Sequence, residues 1–246
     1  MLIPYLGDKS KHTDLIIPNL PNSFTKWVEP FGGGFGLYFT LNLNDYPGVQ
    51  FIYNDINHYN YLLFKHLKNP EFIQRVKEYG DDKIRGFFMV SGFPHEQIYV
   101  LENSTDEFKI AFAWLVLLCC STITHLGQYC GNSRLVSFKA QIDGLGEHLS
   151  QLDVYGLDYK EIVEKFDSPD TFFYLDPPYL GKEKYYLNHS FTRQSHKELS
   201  DILKGIQGKF MLSYYWFEDL EEWYRDCRFE SKKTPPMGTE FIIMNY

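Results

Sequence analysis

The residues best equipped for chemistry in this chain are four in a row, Asp176, Pro177, Pro178 and Tyr179. They follow Thr171-Phe172-Phe173-Tyr174-Leu175, a β-branched and aromatic run that reads as a buried strand. An acid directly after such a strand sits where open α/β sheets place their chemistry. Two consecutive prolines fix two φ angles and remove two backbone donors, which leaves the carbonyls of the turn to point toward a ligand. The set suits an amino group on a planar ring: the Asp176 carboxylate and the Pro177 carbonyl each accept one N–H, and the Tyr179 ring stacks on the base. The same residues also read as a Pro-Pro loop after a core strand, with Asp176 as an ordinary turn acid.

Further strand ends of this kind surround it. Trp27-Val28-Glu29 reads as a short strand that enters Pro30-Phe31-Gly32-Gly33-Gly34 and then an apolar helical segment from Leu37 to Leu43. Strand, glycine turn and helix make the first half of a nucleotide-binding unit, where missing side chains let backbone amides approach the ligand. The spacing is not G-x-G-x-x-G, and Glu29 at the strand end would repel phosphate. A cationic or zwitterionic nucleoside therefore fits better than NAD or ATP. Phe51-Ile52-Tyr53-Asn54 gives a second strand tipped by Asp55, the usual place of a ribose-hydroxyl acceptor. Asp55 or Asn57 as a helix N-cap is compatible with that role. Val154 to Leu157 returns to sheet-like sequence and ends at Asp158 and Tyr159. Tyr5-Leu6-Gly7-Asp8-Lys9 joins a turn to a cation that would meet an anion or stay in solvent.

The elements that must position these groups follow from periodicity. Thr13 to Leu20 reads as helix-like, Tyr61 to Leu67 and Phe72 to Tyr79 as helices broken at Asn69-Pro70, and Glu107 to Cys120 as an apolar helix. Gly127 to Arg134 reads as a polar loop. So long a stretch between two strands of one sheet is better explained as an inserted lobe than as a crossover. The chain divides accordingly into a catalytic domain of residues 1–58 and 150–246 and an inserted, mostly helical lobe of residues 59–149. Gln128, Asn132, Ser133, Arg134 and Lys139 of that lobe are candidates to read base edges or bind phosphates, and equally a solvated surface. Tyr159 to Phe166 reads as a helix. Leu180 to Arg193 is a loop long enough to fold over a bound base, with Tyr185 as a candidate contact. Ser195 and Glu198 form a capping box for a helix through Ile206. Lys209 to Ser213 is a strand, Phe217 to Tyr224 a helix, and Cys227 to Ser231 and Glu240 to Met244 an antiparallel pair.

Composition bounds the function. The 246 residues, 44% of them apolar, suffice for one large domain or one domain with an insertion, and 21 Phe with 19 Tyr serve packing or base stacking. A net charge of −8 argues against a protein that coats nucleic acid indiscriminately. Four cysteines without a CxxC spacing argue against a metal centre and for reduced thiols in the cytoplasm. The opening Met-Leu-Ile-Pro-Tyr lacks a leader pattern. The longest apolar run, Ile110 to Cys120, falls short of the roughly 20 residues that a membrane span needs.

In order along the chain, Tyr5-Leu6-Gly7-Asp8-Lys9, Glu29-Pro30-Phe31-Gly32-Gly33-Gly34, Asn54-Asp55-Ile56, Asp158-Tyr159 and Asp176-Pro177-Pro178-Tyr179 resemble the Dam-type DNA adenine methyltransferases. Phe191-Thr192, His196 to Leu199, Ser213-Tyr214 and Thr239 to Tyr246 resemble that family's later blocks. The resemblance implies an α/β fold: a Rossmann-like seven-stranded methyltransferase sheet with a C-terminal antiparallel hairpin, plus an inserted target-recognition lobe. It implies S-adenosylmethionine as cofactor, with Tyr5 and Lys9 near its methionine part, Phe31, Gly32, Gly33 and Gly34 giving backbone contacts, Asp55 on the ribose, and Asp158 and Tyr159 on its adenine. It implies double-stranded DNA as partner, with no metal and no membrane, in a monomer or weak dimer encoded by a bacterium, a phage or a restriction system. Asp176, Pro177 and Tyr179 would act on a flipped-out adenine. Gly131 to Phe138 is only loosely similar to the family's recognition hairpin, so GATC is not implied as the target. RNA adenine, DNA cytosine, a protein amide and a non-catalytic DNA-binding relic remain as alternatives.

Overall fold

The computed structural model describes residues 2–80, 95–122, 125–181, 191–234 and 238–246. Along the chain, helix α1 (Thr13–Ile16) precedes strands β1 (Lys26–Glu29) and β2 (Gln50–Asn54). Helices α2 (His58–Leu67), α3 (Pro70–Glu78), α4 (His95–Asn103) and α5 (Glu107–Cys120) follow. A short antiparallel pair, β3 (Ser121–Thr122) and β4 (His125–Tyr129), leads to α6 (Ser133–Gln141) and α7 (Gly146–Ser150). Then come β5 (Leu152–Tyr155), α8 (Tyr159–Phe166), β6 (Thr171–Leu175), α9 (Arg193–Gly205), β7 (Lys209–Tyr215), α10 (Leu220–Trp223), β8 (Arg228–Thr234) and β9 (Gly238–Met244).

The described residues form a seven-stranded sheet in the order β5-β2-β1-β6-β7-β9-β8. Strand β1 runs parallel to β2 and β6, β6 runs parallel to β7, and β9 is antiparallel to both β7 and β8. This is the Rossmann-like methyltransferase arrangement with its antiparallel end. From β1 the chain goes to one side, to β2, and later returns on the other side as β6. The ends of β1 and β6 therefore flank the topological switch point, where open α/β sheets bind ligands. All five residues of β6 are buried, as the unbroken apolar run requires of a central strand.

Two compact units divide the chain: Met1–Ser10, Gly33–Leu41 and His58–Val154 in unit one, and Lys11–Gly32, Asn42–Asn57 and Tyr155–Tyr246 in unit two. The core of unit two is built from Val28, Ile52, Phe173, Leu175, Leu199, Leu212 and Ile243 among others. In unit one, α5 carries ten buried residues, including Trp114, Leu115 and the adjacent Cys119 and Cys120. The Asp106 side chain caps this helix by accepting from the Phe108 and Lys109 amides.

Several local expectations need correction. The apolar segment Leu37 to Leu43 is no α-helix; it makes short 3-10 turns at Tyr38–Thr40 and Leu43–Asp45, because Leu41 is extended and the Asn42 side chain takes the Asn44 amide. The polar loop expected over Gly127 to Arg134 is shorter than that: its first residues belong to the strand His125–Tyr129 and its last two begin the helix Ser133–Gln141. Leu135 and Phe138 bury one face of that helix, and tertiary packing outweighs its polar composition. The capping box of α9 is Thr192 with Ser195. Ser195 occupies the third helical position, and Glu198 instead pairs with Lys160 at 2.7 Å.

Gly208, just before β7, shows how tightly that sheet is set. A Cβ there would lie 2.8 Å from the Thr171 carbonyl oxygen and 3.1 Å from that of Ser168. Both are backbone atoms that cannot swing aside. Gly208→Ala is expected to lower stability by about 1–3 kcal/mol, read as a drop in the urea midpoint.

Candidate active site

In unit two, the parallel alignment of β1, β2, β6 and β7 brings their C-terminal ends to one edge of the sheet. The residues that leave that edge are Pro30-Phe31-Gly32 after β1, Asp55 after β2 and Asp176-Pro177 after β6. The fold thus gathers candidate residues that lie up to about 150 positions apart in sequence.

Asn54 holds this edge together. Its Nδ2 donates to the Pro30 carbonyl at 2.9 Å and to the Leu157 carbonyl at 3.0 Å, while its Oδ1 accepts from the Leu157 amide at 2.9 Å. Its backbone carbonyl accepts from the Gly32 amide at 2.7 Å. One fully buried side chain therefore ties the loops after β1, β2 and β5. Both amide hydrogens are used, which fixes the side chain's orientation. In the sequence Asn54 is legible only as a member of a motif, because its partners lie 24 and 103 residues away.

Asp55 is buried and its Oδ1 accepts from the Asn57 amide at 2.8 Å, so the capping role is present. Asp158 caps α8 through the Lys160 amide at 2.9 Å. The Phe31 ring stacks on Tyr159, with centroids 5.3 Å apart and planes 28° apart, and Phe191 meets both edge-on. Glu29 is buried and accepts from the Trp27 indole at 3.0 Å. A buried carboxylate beside a glycine turn favours a cationic ligand and disfavours phosphate.

The turn from Asp176 to Tyr179 is anchored from its far end. Asp176 is half-buried, whereas Pro177 and Tyr179 are buried. The Tyr179 ring stacks on Tyr214 at 5.6 Å and meets Tyr215 at 4.6 Å. Its hydroxyl donates to Glu240 on β9, a carboxylate that is only 3% exposed. Burial, then the nearby Asp176 and Glu240, push the Tyr179 phenol well above its ordinary pKa. Burial, then Asp176, do the same to Tyr174, whose hydroxyl bonds Ser213 at 2.9 Å. Glu240 was seen in the sequence only as part of a closing block; residue type and spacing carried no sign of its contact with Tyr179.

Unit one holds the remaining candidates. Lys9 is buried and its ammonium donates to the Gly7 carbonyl at 2.8 Å. The Asn60 amide donates to the Tyr5 hydroxyl at 2.9 Å and accepts from the Trp114 indole at 2.8 Å, so α2 and α5 fix the N-terminal motif. Gly33, at φ +50°, and Gly34 pack against Tyr5; a Cβ on Gly34 would lie 2.7 Å from the tyrosine's own Cβ. Gly32, in unit two, is likewise pressed on the Tyr53 ring. These glycines are therefore required on one side by packing. Arg134 bonds the Ser121 carbonyl and the Cys130 sulfur, and Lys139 bonds the Tyr79 carbonyl. Ser133 is exposed and Asn132 half-buried at the start of α6. Tyr185 lies outside the described residues, as does the Gln128 side chain. None of the four cysteines is in a disulfide. Among the described residues, no group of three His, Cys, Asp or Glu side chains is placed to hold a metal, and no helix is long and apolar enough to cross a membrane.

Residues 5–235 match the family described as D12 class N6 adenine-specific DNA methyltransferase. The chain is also 24% identical over 226 residues to the type II methyltransferase M.MjaIII of Methanocaldococcus jannaschii, covering 81% of this chain and 74% of that protein.

Two outcomes follow from this geometry. Asn54→Asp replaces two donors with a carboxylate facing two carbonyls, and a loss of about 3 kcal/mol or more is expected in urea unfolding. Because the Tyr174 and Tyr179 phenols are held protonated in the fold, stability is full below their unfolded pKa of about 10 and falls as pH rises above it. Tyr179→Phe should flatten that alkaline decline in a pH series of thermal unfolding.

Proposed function

The chain belongs to the D12 class N6 adenine-specific DNA methyltransferase family, and on that premise we propose that it methylates the exocyclic nitrogen of an adenine flipped out of double-stranded DNA, with S-adenosylmethionine as donor. The observation that carries the reading is the placement of the β1 glycine turn and the Asp176-Pro177 turn on either side of the switch point. One turn suits a nucleoside cofactor; the other suits an amino group.

The donor set fits that cofactor. Asp55 would hold the ribose hydroxyls and Asp158 and Tyr159 the adenine. Tyr5 and Lys9 are assigned to the methionine part, and Phe31, Gly32, Gly33 and Gly34 to backbone contacts. The cofactor supplies an electrophilic methyl group on a positively charged sulfur. Buried Glu29 contributes a negative field that suits such a charge.

The chain's own contribution is to present the nitrogen. The target amino group is a weak nucleophile because its lone pair is delocalised into the ring. Asp176 and the Pro177 carbonyl, by accepting both N–H bonds, favour a pyramidal nitrogen with its lone pair free. As the new N–C bond forms and the S–C bond breaks, one proton leaves the nitrogen toward Asp176 or water. Positioning contributes more than basicity to such a step. Tyr179 secures the turn and is assigned to the base beside it. Flipping is required because a stacked amino group cannot be approached in line.

Residues 59–149 are assigned to target recognition, with Asn132, Ser133, Arg134 and Lys139 as DNA contacts; Arg134 and Lys139 would have to exchange their present backbone partners for phosphate or base. Tyr185 is assigned to the same task.

The test is methyl transfer from labelled S-adenosylmethionine to unmethylated DNA, followed by nucleoside analysis and sequencing of modified sites. N6-methyladenine in one short context is expected. Asp176→Ala should abolish transfer while cofactor binding, followed by calorimetry, is partly retained. Label in cytosine, or equal loss of binding and transfer in that variant, would sink the reading.

A further inference from the structure

We propose that Glu240 is a positioning residue for methyl transfer, acting through Tyr179 to hold the Asp176-Pro177-Pro178-Tyr179 turn in its acceptor geometry. The inference deepens the adenine N6 reading and rests on it.

A buried carboxylate is costly unless something compensates it. Glu240 is 3% exposed and sits opposite Tyr215 near the start of β9, at the edge where β6 and β7 end. Across the neighbouring pair it lies opposite Lys232, whose ammonium pairs with Asp14 at 2.7 and 2.5 Å. Glu240 accepts the Tyr179 hydroxyl. Burial and its acidic neighbours raise the Tyr179 phenol above its ordinary pKa, so it keeps its proton across the physiological range and is a permanent donor to Glu240.

The turn needs such an anchor. Its upstream end is fixed by β6, and Pro177 and Pro178 fix two φ angles. Neither proline has an N–H, so this part of the turn has no backbone donor with which to tie itself down. The direction of the Pro177 carbonyl is then set by where the chain is held next, at Tyr179. There the ring is stacked on Tyr214 and the hydroxyl is held by Glu240. Stacking alone leaves a ring able to slide in its plane; the hydroxyl bond removes that freedom. A misplacement of about 1 Å in the acceptors is worth roughly 100-fold in rate.

The experiment compares Glu240→Ala, Glu240→Gln, Tyr179→Phe and the double variant Glu240→Ala/Tyr179→Phe in the full chain. For each, kcat and KM for DNA methylation, the cofactor Kd and the hydrogen exchange of the non-proline amides of residues 172–180 are measured. Glu240→Ala is expected to lower kcat by about 100-fold, with cofactor Kd changed by less than about threefold. Exchange at Tyr179 and Leu180 should rise while Phe172 and Phe173 stay protected. Glu240→Gln, whose amide oxygen still accepts, should recover most of kcat, and the double variant should be no worse than Glu240→Ala. Additive losses in the double variant, unchanged kcat in Glu240→Ala, or Glu240→Gln as poor as Glu240→Ala would each overturn the proposal. If the unaltered protein fails to methylate adenine, the N6 reading falls by itself; unchanged exchange in Glu240→Ala would show separately that Glu240 does not hold the turn.

Discussion

The candidate site depends first on a single buried amide. Parallel strands place loops at one edge of a sheet, but they do not fix the loops against one another. Asn54 does so, with both amide hydrogens on carbonyls of neighbouring loops and its oxygen on a backbone amide. Such a residue has no isosteric substitute: aspartate lacks the donors, and leucine leaves three backbone groups unpaired in a dry interior. The spacing between the glycine turn, Asp55 and the Asp158 helix start is thereby set by one side chain that itself touches no substrate in the proposed reaction.

A second system of contacts runs through the same unit from the glycine turn to the acceptor turn. Phe31 meets Phe191, Phe191 lies 4.6 Å from His196, and His196 Nδ1 bonds the Tyr214 hydroxyl. Tyr214 stacks on Tyr179, which reaches Glu240. Aromatic rings lose little rotamer freedom on burial and fill large volumes, so such a series is stiff. Part of the heavy aromatic content visible in the sequence serves here, part the packing around Trp27 and Phe172, and part the cluster of Phe35, Tyr38, Phe39 and Phe64 in unit one.

Much of this was legible in the sequence wherever local chemistry decides. The helices Glu107–Cys120 and Tyr159–Phe166 and the strand Thr171–Leu175 occupy the expected bounds, because capping acids or unbroken apolar runs define them. The antiparallel pair near the end of the chain was readable from its short connection. Reading failed where packing overrides composition: both ends of the loop expected over Gly127 to Arg134 belong to regular elements, the later one a helix that buries Leu135 and Phe138, and the apolar Leu37–Leu43 did not form a helix. Motif residues were legible as types, and the contacts that give them function were not. Tyr179 and Glu240 are 61 residues apart, and only the sheet's register makes them neighbours.

That register has a consequence in time. The acceptor turn is translated well before β9, and its anchor does not exist until residues 238–244 have been made and have paired with β7. Domains fold as their chains emerge, and long-range strand pairs close late. A nascent chain that has already formed the glycine turn therefore still lacks a finished acceptor turn. On the proposed role of Glu240, enzymatic competence arrives with the pairing of β9, and a product truncated before β9 would be expected to fold in part without acquiring the ability to modify DNA.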